Sequence, residues 1–200
     1  MQITGELIKE KIIVKKPKDA GRLYNKSHFG KMTSKGNLEL DLLESIFLKG
    51  EGKLRIFQEK NDLDFQTLLK LAVRIITDFD KKYLIFKDLR ARGHAIKLSS
   101  KEKITFYDFK KQFHVSIFSE RDCFNIDEIV KLIKTVEKEN RELWFALVDE
   151  EGDITYYTVS RIDLIGKNKE HSYSKSNGIL LENRVILFDK KISVDMFEKE

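Results

Sequence analysis

The sequence predicts an α+β fold in two domains, helix-rich first and sheet-rich second, meeting near residue 80. Two observations carry this. Up to about residue 92 the longest apolar patterns recur at helical spacing, in "LELDLLESIFLKG" and "DFQTLLKLAVRIITDFDKKYLIFKDLRARG". From residue 94 short alternating apolar segments take over, interrupted by one amphipathic stretch.

The elements follow in order. In "GELIKEKIIVKKPKD", Leu7, Ile12, Ile13 and Val14 make two short strands around the polar "KEK", and Pro17 ends the run. Asp19 is placed as the N-cap of a short helix or turn through "DAGRLYNKSHFGK", closed by Gly30. Apolar residues at 38, 40, 42, 43, 46, 47 and 48 predict a helix ending on Gly50. The next helical stretch breaks near Asp78–Lys81 and is C-capped by Gly93. "HAIKLS", "KITFYDF" and "FHVSIFS" read as strands. "NIDEIVKLIKTVEKENR" is a helix with Ile126, Ile129, Val130, Ile133 and Val136 on one face. "ELWFALVD" is almost continuously apolar, as a strand buried on both faces would be. "EEGD" is a turn and "ITYYTVSRIDL" the returning strand. A polar linker, "KNKEHSYSKSN", then leads to "GILLENRVILFD" (178–189), which repeats the pattern of "GELIKEKIIVKK" (5–16). Either short apolar strands coincide here, or a second copy of the opening hairpin begins.

Composition sets bounds. The hydrophobic fraction of 41 % supports a packed core, and 36 % charged residues of mixed sign describe a salt-bridged surface. A net charge of +5 with pI near 9.0 permits a polyanionic partner without demanding one. Cys123 is the single cysteine, which excludes an intrachain disulfide and a Cys-x-x-Cys metal site; a small buried thiol is expected. His28 and His94 lack metal-ligand spacing, so no metal is expected. No apolar run approaches the ~20 residues of a membrane span, and the start lacks a signal-peptide pattern, so a soluble cytoplasmic protein without a membrane role is expected.

Three segments, "GRLYNKSHFGK", "YLIFKDLRARGHAIK" and "LWFALVDEEGDITYYTVSRIDL", resemble in order the archaeal tRNA-splicing endonuclease family, over about residues 3–165. The resemblance implies an N-terminal helical domain with a small antiparallel sheet and a C-terminal mixed β-sheet flanked by helices. It divides the chain into 1–80, 81–166 and, as linker and extra strand segment, 167–200. It also implies cofactor-free excision of introns from pre-tRNA at bulge–helix–bulge junctions. A ribose 2′-oxygen attacks the adjacent phosphorus, leaving a 2′,3′-cyclic phosphate and a 5′-OH. This chemistry needs a base, an acid and a cation on the phosphate, which the family supplies as Tyr, His and Lys.

In "ITFYDFKKQFHVSIF", Tyr107 takes the family's tyrosine position. The plain alternative is a strand aromatic. The loop that follows is short and lacks the family's His-Ser pair. His114 is the substitute on offer, but alternation sets it opposite Phe113, Val115 and Ile117, and the shortened loop would have to refold to bring it to Tyr107's pocket. Glu142 stands where the lysine is expected, and a carboxylate there repels a phosphate. Lys110, Lys111 and Arg141 are candidate RNA contacts, or solvated surface. The resemblance makes Asp149, Glu150, Glu151 and Asp153 an acidic loop that docks into a basic cleft of a partner subunit, and makes Tyr156, Val159 and Ile162 a strand that pairs between units. The preferred reading is a structural subunit working with a catalytic partner in a four-unit assembly. The alternatives are an active subunit using Tyr107 and a stand-alone RNA-binding module.

Overall fold

The structure, a computed structural model, describes residues 2–101, 103–110, 112–162, 177–181 and 184–187. The chain divides into two compact units, Met1–Arg161 and Ile162–Glu200.

The first unit is α+β. Its N-terminal sheet has six strands in the order β3-β4-β2-β1-β5-β6. These are β1 (Ile3–Ile8), β2 (Lys11–Val14), β3 (Lys31–Met32), β4 (Leu38–Leu40), β5 (Leu54–Gln58) and β6 (Asn61–Asp62). The opening hairpin pairs Leu7 with Ile12, as expected. One pair, β1 with β5, is parallel, so the sheet is mixed; the chain between them contains the helix α2 (Leu42–Gly50). Residues 38 and 40, read as the front of that helix, are strand. Asp41 ends the strand and caps α2: its Oδ1 accepts from Glu44 N at 2.8 Å, and Glu44 Oε2 accepts from Asp41 N at 3.2 Å. The D-x-x-E of this capping box is in the sequence and was available to be read. Asp19 is not an N-cap. The helix α1 (Pro17–Gly21) has its N-cap at Lys16, three residues earlier, because Pro17 suits a first helical position, where no N–H is needed. A π-helical turn, Arg22–Lys26, continues it.

The predicted helical break is sharp. Helix α3 (Phe65–Ile75) ends at Ile76, and α4 (Phe79–Ala91) begins after Asp78, whose φ of 51° lies in the left-handed region. Gly93, φ +88°, closes α4 with N–H bonds from Gly93 to Arg90 O and from His94 to Leu89 O.

The second sheet has the order β11-β10-β9-β8-β7. Its strands are β7 (Ile96–Leu98), β8 (Phe106–Asp108), β9 (Phe113–Ser119), β10 (Glu142–Val148) and β11 (Ile154–Val159). Strands β9 and β10 are parallel, joined through α5 (Ile126–Glu137); the other pairs are antiparallel. β10 is buried on both faces as expected: Ala146 and Val148 join the large core with Phe86, Phe106 and Phe113, while Leu143 and Phe145 pack with Leu132, Ile133 and Val136. The buried face of α5 is therefore Ile129, Leu132, Ile133 and Val136; Ile126, 70 % exposed, and Val130 lie outside it. Cys123 is exposed, not buried, because it follows a turn closed by Asp122 N to Ser119 O ahead of α5.

The large core runs through both sheets and α4, and one loop locks the halves together. Gly30, φ +64°, donates to Glu44 Oε1 at 2.8 Å and accepts from Lys97 Nζ. A Cβ on Gly30 would sit 2.5 Å from Glu39 O, so only glycine fits. Arg90 donates to Ser27 O at 2.7 Å and lies 3.8 Å over the Phe29 ring, and His28 stacks on Phe109 at 4.7 Å. Residues of "NKSHFGK" and "FKDLRARG" thus hold one another.

Of the second unit, β12 (Gly178–Leu181) and β13 (Arg184–Leu187) are described. They form an antiparallel pair with Leu180 opposite Val185 and Leu181 opposite Arg184. This is the register of Leu7 opposite Ile12 and Ile8 opposite Lys11 in β1 and β2. Among all described residues, no helix is long and apolar enough to cross a membrane.

Candidate functional site

Tyr107 and His114 face each other. A tight turn joins β8 to β9, and the register sets Phe106 against Val115 and Tyr107 against His114. Directly opposed residues share a sheet face, so the two side chains rise from the same face with no refolded loop. Leu143 is the next neighbour of His114 on β10, which places this row on the face covered by α5.

His114 is 2 % exposed. Its Nε2 lies 2.8 Å from Glu139 Oε2 and 3.2 Å from Arg141 Nη1. The carboxylate requires a proton on Nε2, so Arg141 cannot donate there and its charge answers Glu139 instead, Nε to Oε2 at 3.8 Å. Nδ1 is buried without a hydrogen-bond partner among the described residues. Burial pushes the imidazole below its ordinary pKa, and Arg141 adds to that; the Glu139 bond opposes but does not overcome it. Glu139 is held at about 2 by its bonds to Lys101 and His114. The Tyr107 hydroxyl is half-buried and raised in pKa, by burial first and then by the Glu44 carboxyl, with Arg141 opposing. The neighbourhood therefore has a phenol that keeps its proton and a neutral, enclosed imidazole.

The other predicted residues disperse. Glu142 is exposed, its Oε2 accepting from Trp144 Nε1 at 2.8 Å. Lys110 is exposed at the turn; Lys111 lies outside the described residues. Arg141, Glu142 and Trp144 line a cleft of ≈ 650 Å³ together with His94 and Gln112.

In the acidic turn the four carboxylates do different things. Asp149 Oδ1 accepts from Glu151 N at 3.0 Å and Asp153 N at 2.9 Å, so it shapes the turn. Glu150 pairs with Arg121. Glu151 and Asp153 are exposed and form no ion pair among the described residues. On β11, Tyr156 turns inward and donates to Asp88 Oδ2 at 2.8 Å, which with burial raises its pKa. Val159 packs toward α5. Tyr157 is 55 % exposed. Ile162, expected on this strand, lies beyond its end at Val159 and belongs to the second unit, where it is 76 % exposed. Tyr157 was missed from sequence; its pairing with Phe145 puts it on the α5 face, near the rim.

Comparison with known proteins covers most of the first unit. Residues 3–69 match the family model described as tRNA intron endonuclease, N-terminal domain, and residues 79–156 that of its catalytic C-terminal domain. The chain is similar to a tRNA-splicing endonuclease of Methanococcoides burtonii, 32 % identical over 97 % of this chain and 57 % of that protein. It is also similar to that of Thermococcus gammatolerans, 34 % identical over 68 % of this chain and 84 % of the relative. With that of Methanothermobacter thermautotrophicus it shares 29 % identity over 81 % and 99 % respectively. The chain thus spans little more than half of the first relative and nearly all of the last.

Proposed function

The chain belongs to the tRNA intron endonuclease family, and on that premise we propose that it is a structural subunit of an enzyme that excises introns from pre-tRNA, supporting a catalytic partner in a four-unit cytoplasmic assembly. The proposal takes residues 1–80 and 81–166 as the two family domains and 167–200 as linker and extra strand. In the reaction the 2′-oxygen forms a new bond to phosphorus as the bond to the 5′-oxygen breaks. One proton leaves the 2′-OH and one reaches the departing 5′-oxygen. The enclosure of His114 is the observation that carries the reading. An acid must reach the leaving oxygen, and this imidazole is 2 % exposed, neutral and tied to Glu139. Tyr107, with its raised pKa, is a poor base, and Glu142 sets a negative charge where the phosphate needs a positive one. Glu151 and Asp153, exposed and without an ion pair among the described residues, are the residues of the acidic turn best suited to dock into the partner, with Tyr157 on the adjoining strand.

The test is a single-turnover cleavage assay on a bulge–helix–bulge RNA, with the chain alone, a catalytic chain alone and the mixture. The chain alone is expected to be inactive, and Tyr107→Phe in it to leave the rate of the mixture unchanged. A second reading has one observation in its favour: the register opposes Tyr107 and His114, with Arg141 against the imidazole. In that reading they are base, acid and cation. Metal-independent cleavage by the isolated chain, abolished by Tyr107→Phe, would replace the structural-subunit proposal with it.

A further inference from the structure

Three clefts of the first unit are neighbours, each sharing lining residues with the next, and make up a trough of adjoining hollows. The first, ≈ 430 Å³, includes Arg22, Ser27, Phe29 and Lys53. The second, ≈ 360 Å³, shares Ser27, Phe29 and Lys53 with it and adds Lys26, His28, Arg90, His94 and Lys110. The third is the ≈ 650 Å³ cleft that shares His94 with the second; Arg141 lines it, and so do Glu137 and Glu142, so the positive stretch ends there. The trough thus draws its lining from both sheet regions of the unit.

Its middle part is one-signed. Lys26, Lys53, Arg90 and Lys110 line it with His28 and His94, and among the described residues no carboxylate does. In a chain with 33 acidic and 38 basic residues, most surface would bring the two signs together. Lys26 and Lys110 are exposed and form no ion pair among the described residues. Lys53 has only the exposed Glu51, at 3.4 Å. Arg90 is fixed: it lies flat on Phe29 and gives one donor to Ser27 O, which leaves further guanidinium donors for a ligand. Burial brings it down to about 10, so it remains a cation at neutral pH. A preorganised arginine flanked by exposed lysines suits phosphate oxygens, the arginine for directed hydrogen bonds and the lysines as point charges.

We propose that this trough is a binding track for the phosphodiester backbone of RNA, with Lys26, Arg90 and Lys110 as its principal phosphate contacts. The assignment of that RNA as the pre-tRNA being cut rests on the function proposed above; the track itself does not. Backbone contacts carry no sequence information, so the track positions RNA without selecting it. It also gives the subunit an RNA contact separate from Tyr107, which does not line it.

The test uses the full chain and a fluorescent bulge–helix–bulge RNA, with anisotropy titrations over a range of salt. A Lys26→Ala/Lys110→Ala double variant is compared with Lys70→Ala/Lys134→Ala, which removes the same charge from exposed positions on α3 and α5. Each lost phosphate contact should lower the slope of log K against log salt by about 0.7–0.9. The trough variant should therefore bind more weakly with a flatter slope, and the control should follow the unmodified chain. Equal effects in the two doubles, or no RNA binding by the unmodified chain at low salt, would overturn the track. A cleavage assay with the catalytic chain separates the two ideas. Trough variants that lose RNA affinity while the chain never alters cleavage would leave the track standing and remove the subunit function. Cleavage that depends on this chain but not on the trough, with RNA affinity unchanged in the trough variant, would do the reverse.

Discussion

At Glu44 a carboxyl group is buried between two backbone donors, Gly30 N and Asp41 N. Burial, with the Asp41 charge next, outweighs those bonds and raises its pKa from 4.5 to about 8. The folded state therefore holds a proton that the unfolded chain releases at lower pH. Stability from this group is full below about 4.5 and is lost as pH rises toward about 8. Glu44→Gln cannot titrate, so the melting temperature of the unmodified chain minus that of the variant should shrink between those limits. Thermal melts across pH 4–9 would read this, and a difference that grows with pH would contradict the buried protonated carboxyl. His114 teaches a related lesson. Its alternation across β9 was legible, but its opposition to Tyr107 depends on how many residues the turn consumes, and no single position carries that number.

Among the elements, the acidic turn 149–153 was recognisable as a turn with four carboxylates, yet its internal hydrogen bonds decide which are available. Asp149 holds the loop and Glu150 answers Arg121, so Glu151 and Asp153 are the pair to reverse. Changing both to Lys should weaken association with a catalytic chain and leave the far-UV spectrum and melting temperature nearly unaltered, since exposed charges contribute only about 0–1 kcal/mol to folding. Co-elution in gel filtration would show the effect, and an unchanged complex would remove the docking role. The register of α5 with its sheet is similar: five apolar residues were assigned to one face, but packing selects Leu132 and leaves Ile126 out. A helix of 12 residues can turn slightly against a flat sheet, and only contact determines which edge of the apolar stripe is covered.

For the molecule as a whole, the pair β12–β13 repeats the register of β1–β2 but leaves Ile179, Leu180 and Ile186 exposed, Leu180 by 68 %. In the first sheet the corresponding hairpin is flanked by β4 and β5. Among the described residues β12 and β13 have no such flanking strands, and an unflanked apolar hairpin invites pairing. Deletion of residues 177–200 should therefore change solubility or oligomer size while the melting temperature of the first unit holds. Analytical ultracentrifugation with parallel melts would show it, and an unaltered sedimentation profile would make the repeated pattern a coincidence.

The sequence by itself determined the α+β class, the helical break at Asp78, the cap at Gly93, the two-faced burial of β10 and the family, because each rests on local periodicity, on glycine geometry, or on short ordered motifs; Gly30, expected to close the short helix, lies beyond its end at Ser27. The tertiary structure alone decided that Tyr107 stands opposite His114, that Arg90 and Lys97 grip the Ser27–Gly30 loop, that Tyr156 serves Asp88, and that lysines distant in sequence line the one-signed middle of a trough. These are pairings between residues as many as 84 positions apart, as from Lys26 to Lys110. The physical reason is that side-chain type and spacing act over a few residues, whereas partner, enclosure and charge environment are set by strand register and core packing across the whole chain.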